Sequence, residues 1–169
     1  DAKGEIINNV KNKGTIILNR DDRYFNYLEK KAKLKNLKVV SFGKNKKSDV
    51  YPISLFRKKE KTITYLRLKE KKIKLEFKNL NIYNVLSSLT LLNELNLNLH
   101  RVIRQFKNYQ PSEGRGKIHN IKRYSKNFKL IDESYNANPL SVKNAINRLN
   151  LINKEKCKKY LVLQSTHSH

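Results

Sequence analysis

Leu130-Ile131-Asp132-Glu133-Ser134-Tyr135-Asn136-Ala137-Asn138-Pro139 is the stretch on which the fold turns. Two apolar residues run into two carboxylates and then into a turn dense in side-chain amides. Asn138 suits a helix N-cap and Pro139 the first helical position, because its missing N–H would be unpaired there anyway. A helical pattern follows to about Asn150. A strand end opening onto a helix start is where open α/β sheets receive ligands. Taken alone, the stretch also fits a well-capped strand–turn–helix with no further role.

Outward from it, the chain is punctuated in the same way. Gly14-Thr15-Ile16-Ile17-Leu18-Asn19 reads as a short buried strand, closed by the polar Asn19-Arg20-Asp21-Asp22. Tyr24 to about Leu34 places Phe25, Leu28 and Ala32 at near-helical spacing, and Leu37–Phe42 is the next strand, so the three form a parallel crossover. Ala2–Ile6, before them, is assigned no element. Val50–Phe56, Thr62–Leu68 and Lys72–Phe77 alternate partially and read as an antiparallel meander with solvated charged faces. Asn81 then starts a helix whose stripe is Ile82, Val85, Leu86, Leu89, Leu92 and Leu95, and Leu99–Phe106 is a second. Gln110–Lys117 gathers Pro, Ser and Gly and marks the best boundary. Beyond it come Lys117–Tyr124, the Lys129–Asp132 strand, the Pro139 helix and a strand at Lys159–Leu163.

An apolar share of 38% over 169 residues can build a core. No apolar run reaches membrane-spanning length, so no membrane insertion is expected. Cys157 is the single cysteine, which excludes an internal disulfide and a cysteine-built zinc site and fits a reducing cytoplasm. The net charge of +24 would ordinarily point to nucleic acid. Against that, the lysines are spread along the whole chain and greatly outnumber arginine, the residue that reads bases. Nucleic acid is therefore not the expected partner. A basic nucleic-acid or polyanion-binding module stands as the alternative function.

Gly114-Arg115-Gly116-Lys117 lacks the Gly-x-x-x-x-Gly-Lys-Ser/Thr spacing that wraps backbone amides round phosphates, and no such motif occurs in the chain. An arginine in a glycine-flanked bend nevertheless suits phosphate recognition. Asn81 and Asn84, three apart, share one face of a first helical turn, where Asn81 is equally a cap. His100, His119, His167 and His169 form no metal-ligand or catalytic arrangement, and no metal site is assigned.

In order along the chain, five stretches together resemble the ATP-dependent muramyl ligases of peptidoglycan synthesis. They are Ala2–Ile6; Gly14–Asn19 with Asp21-Asp22; Asn81-Ile82-Tyr83-Asn84; Gly114–Gly116; and Ile131–Pro139. The Tyr-Asn-Ala-Asn-Pro form resembles the branch that joins D-alanyl-D-alanine to UDP-N-acetylmuramoyl-tripeptide. The resemblance implies an α/β fold. Residues 1–111 would be the second half of a central ATPase-type domain with a mixed sheet and helices. Residues 112–169 would be the first strand–helix–strand part of a Rossmann-like C-terminal domain.

It further implies ATP and Mg²⁺ as cofactors, an acyl-phosphate intermediate attacked by the incoming amine, a cytoplasmic location and a monomer. Asn81 and Asn84 would lie on the adenine side, and Arg115 would reach the ATP phosphates. Asp132 or Glu133 would meet the ribose or phosphates, with Asn136 and Asn138 shaping the same wall. Lys78 and Leu80 stand where the family usually has Gly and His, and Glu133 where it usually has Asp. The phosphate loop and the Mg²⁺-holding modified lysine would precede Asp1, and most of the dipeptide-binding domain would follow Leu163. No catalytic set is complete in this chain, and the chain alone is expected to be inactive.

Overall fold

The structure, a computed structural model, describes residues 2–58, 61–78, 80–135, 138–152 and 158–163. The chain divides into two compact units, residues 1–57 with 61–108 and residues 58–60 with 109–169.

In the first unit, α1 (Ala2–Asn9) precedes β1 (Thr15–Asn19), α2 (Phe25–Leu34) and β2 (Lys38–Phe42). β1 and β2 pair in parallel from Thr15↔Lys38 to Asn19↔Phe42, as the crossover reading requires. α2 buries Phe25, Leu28 and Ala32, and these close over Leu18 and Leu37. Ile7 of α1 completes that core, so the N-terminal residues form a helix where the sequence reading placed no element. Lys35 donates its ammonium to the carbonyls of Ile7 and Asn8 at the end of α1, where the helix dipole favours a cation.

β3 (Val50–Lys58), β4 (Lys61–Leu68) and β5 (Lys71–Lys78) extend the same sheet, in the order β1-β2-β3-β4-β5. The expected meander thus continues the parallel strands, because β3 joins β2 in parallel at Phe42↔Val50. β4 and β5 pair antiparallel throughout, and their alternation buries Leu66, Leu68, Leu75 and Phe77 on one face. α3 (Ile82–Glu94) lays Ile82, Val85, Leu86 and Leu89 on that face, and α4 (Leu99–Asn108) adds Leu99, Ile103 and Phe106. Each fully buried leucine here contributes on the order of 1.5–3 kcal/mol. α2 and α3 end alike: Asn36 and Asn96 take φ near +55, a conformation asparagine tolerates, and each following N–H folds back onto the helix.

In the second unit, β6 (Lys117–Arg123) and β7 (Lys126–Asp132) form an antiparallel hairpin, followed by α5 (Pro139–Leu151). The strand expected at Lys159–Leu163 does not form: residues 158–163 have no regular structure, and Tyr160 and Val162 are exposed. The physical reason is the lack of a ladder to join, since among the described residues β6 and β7 pair only with each other.

Candidate functional site

Asn81 and Asn84 belong to the first unit. Asn81 is extended (φ −72, ψ 130), and its Oδ1 accepts the Tyr83 N–H at 2.9 Å, so it caps α3. Asn84 lies one turn into the helix and is exposed. Tyr83, between them, donates its hydroxyl to Asp21 at 3.1 Å. Asp21 follows the carboxyl end of β1, and its two oxygens also accept the backbone N–H groups of Lys44 (2.6 Å) and Asn45 (3.1 Å) beyond β2. Gly43 permits this approach, because a Cβ there would sit 3.0 Å from the Asp21 carboxylate. The Lys44 ammonium lies 5.1 Å from the centre of the Tyr83 ring. Partial burial raises the Tyr83 phenol above its ordinary value, and the Asp21 carboxylate raises it further. The helix start is thus fastened to the carboxyl ends of two parallel strands, the side where such sheets bind ligands.

The other end of α3 is fixed by charge. Glu94, nearly buried, takes ion pairs from Lys38 at the start of β2 and from Lys69 between β4 and β5. Burial pushes its carboxyl up, but the hydrogen bonds and charges of the two lysines outweigh this and hold it below the ordinary value.

Arg115, Asp132, Glu133 and Asn138 belong to the second unit, and Asn136 lies outside the described residues. Asp132 ends β7 and accepts the N–H of Gly114 at 2.8 Å and that of Ser134 at 3.1 Å. Hydrogen bonds from the Ser134 hydroxyl and from these two N–H groups hold its carboxyl below the ordinary carboxylate value. Gly116 N–H donates to the Asp132 carbonyl, and Tyr135 N–H to the Gly114 carbonyl. Both glycines have positive φ, and a Cβ on Gly114 would lie 2.8 Å from that of Tyr135. The glycine loop and the turn after β7 are therefore one stitched structure. On it Arg115 stacks over the Tyr135 ring at 3.9 Å, its side chain exposed. Glu133 pairs with Arg148 of α5 at 2.9 Å, and the same guanidinium donates to the Gly116 carbonyl. Asn138 caps α5 by accepting the Ser141 N–H at 2.9 Å, ahead of Pro139 at the first helical position.

Sequence reasoning missed Tyr83 and Arg148. Tyr83 was visible only as part of a motif, and its bond to Asp21 spans 62 residues. Arg148 carries no local signal, because its partners are 15 and 32 residues away. Among the described residues no group of three His, Cys, Asp or Glu side chains could hold a metal ion. Nor is any helix among them long and apolar enough to cross a membrane.

The profile of the Mur ligase middle domain matches residues 1–92. The chain belongs to the Mur ligase family. Solved Mur ligases share the fold of this Mur ligase chain well beyond that segment. MurF from Acinetobacter baumannii aligns at 21% identity and a TM-score of 0.75, over 90% of this chain and 32% of its own. UDP-N-acetylmuramoylalanyl-D-glutamyl-2,6-diaminopimelate–D-alanyl-D-alanyl ligase from the same organism aligns at 21% and 0.68, over 90% and 33%. MurF ligase from Thermotoga maritima in complex with ADP gives 21% and 0.68, over 88% and 33%. This Mur ligase chain thus spans about a third of the length of the structures it matches. No curated protein sequence matches it.

Proposed function

We propose that the chain is part of an ATP-dependent peptide ligase that joins D-alanyl-D-alanine to UDP-N-acetylmuramoyl-tripeptide in peptidoglycan synthesis, in the cytoplasm and as a monomer. Residues 1–111 are the second half of its central domain, and 112–169 begin its third. The observation that carries the reading is the reach of the likeness to solved Mur ligases: the MurF match covers 90% of the chain, so it extends past residues 1–92 and into the second unit. The Tyr135–Pro139 form and a MurF structure with ADP support the same choice.

Asn81 and Asn84 meet the adenine side of the nucleotide. Asn81 spends Oδ1 on its cap and keeps its amide N–H groups as donors. Arg115 meets the phosphates, its guanidinium held over Tyr135 on a loop that Asp132 and Arg148 keep in shape. Asp132 acts mainly by shaping that loop, since both of its oxygens accept backbone N–H groups. Glu133 and Asn138 belong to the same wall, and the family resemblance assigns Asn136 to it. When bound, ATP supplies the phosphoryl group that activates the acceptor carboxylate. Cations offset the charge on that transferring group, and Arg115 is this chain's contribution.

Grafted into A. baumannii MurF in place of the third it matches, the chain should support phosphate release that depends on D-alanyl-D-alanine. A folded chimera that releases no phosphate with ATP, the UDP-tripeptide and the dipeptide all present would overturn the assignment. The chain alone should release no phosphate from ATP with both substrates present.

A further inference from the structure

The outward face of β3–β5 differs from the face that packs on α3. Leu66, Leu68, Leu75 and Phe77 point inward, so the alternation turns Tyr65, Arg67, Lys72 and Lys74 outward. The register sets Tyr65 opposite Lys74 and Arg67 opposite Lys72. The ammonium groups of Lys72 and Lys74 lie 5.5 and 6.0 Å from the centre of the Tyr65 ring. Beside them Lys46, Tyr51, Ile53, Arg67 and Lys72 line a shallow depression of about 360 Å³. Over their length the three strands carry eight cations and a single carboxylate, Glu76, which is paired with Lys61 at 3.2 Å.

We propose that this face binds single-stranded nucleic acid, independently of the ligase reaction. Charge selects a polyanion, and the half-buried Tyr51 and Tyr65 among the cations select one that also offers flat rings, since bases stack on aromatic side chains without sequence preference. The broad face of β3–β5, strands held within one five-stranded sheet, projects neither a helix nor a free two-stranded ribbon into the grooves of a duplex, and one arginine among lysines gives little base readout. Phosphates lie along the cationic rim formed by Lys46, Arg67, Lys72 and Lys74, and bases rest against Tyr51 and Tyr65.

The test is fluorescence anisotropy of a labelled oligothymidylate titrated with the 169-residue chain at several salt concentrations. The triple variant Arg67→Gln, Lys72→Gln, Lys74→Gln should bind about tenfold more weakly. Its salt slope should fall by about 2, because each phosphate contact on a single strand contributes about 0.7. A control triple, Lys11→Gln, Lys30→Gln, Lys122→Gln, removes equal charge from exposed sites elsewhere and should change affinity less than about threefold. Equal losses in the two triples, tighter binding to duplex than to single strand, or binding to anionic vesicles alone would each overturn the proposal. Photo-crosslinking of a thiothymidine strand to the unaltered chain reads the site without relying on the variants' folding. Crosslinks should map to the segment 46–74, and crosslinks confined elsewhere would overturn it as well.

Discussion

Asn81 is given two jobs, capping α3 and meeting a nucleotide, and substitutions can separate them. Asn81→Ala removes the acceptor of the 2.9 Å bond from Tyr83 N–H and leaves that donor at an exposed helix end, where water replaces it imperfectly. Loss of an N-cap costs about 1 kcal/mol. For a cooperative unit of about a hundred residues, unfolding entropy near 0.2 kcal/mol/K turns this into a drop of roughly 5 °C in Tm. Asn81→Asp keeps the cap and adds a charge that the helix N-terminus favours, so its Tm should stay within about 2 °C of the parent. Asp lacks the amide N–H donors, so any ADP affinity that depends on them should fall about tenfold in both variants. Far-UV circular dichroism melts and calorimetric ADP titration of the MurF chimera read the two effects. If Asn81→Asp melted like Asn81→Ala, the capping argument would be wrong. If ADP affinity survived in Asn81→Asp, the residue would be a cap and nothing more.

Leu86, fully buried between α3 and the sheet, should cost about 2–5 kcal/mol when cut to alanine, while the half-exposed Leu91 on the same helix should cost under about 1; urea melts followed by circular dichroism give both. Glu94 titrates below its ordinary value of 4.5 when folded, so its ion pairs stabilise fully at neutral pH, and that contribution goes as pH falls through 4.5 towards the folded value. Tm measured from pH 7 to pH 3 should therefore decline less steeply in Glu94→Gln than in the parent chain. Gly116→Ala meets two obstacles, a φ of +91 and a Cβ 1.9 Å from the Arg148 guanidinium. It should cost about 1–2 kcal/mol for the backbone alone. Displacing Arg148 adds to that, and an Arg148→Ala background should remove the added part, as a double-mutant cycle on tyrosine fluorescence melts would show.

The positions of β1 to β7 and the helices α2 to α5 were legible because local patterns specify them. Phe25, Leu28 and Ala32 recur at helical spacing, and Asn138-Pro139 is a start signal that acts within four residues. The carboxyl end of β1 was equally legible in Asn19–Asp22. The helix at Ala2–Asn9 was not, because Ile7, its residue in that core, meets partners that come from α2 and β1. The strand expected at Lys159–Leu163 fails in the opposite sense: its apolar run is real, but a strand exists only where a neighbour supplies the other half of its hydrogen bonds.

By itself, then, the sequence determined the α/β class, the family resemblance and the capped turn from Asp132 to Pro139, since each rests on residues close together in the chain. Tertiary structure decided what those residues touch. Asp132 proves to be the acceptor that ties Gly114 to the turn, Glu133 the partner of Arg148, and Tyr83 the link from a helix start to Asp21. These pairings span 15 to 62 residues, and no local propensity encodes a contact at that separation; folding of the whole unit brings the groups within bonding distance.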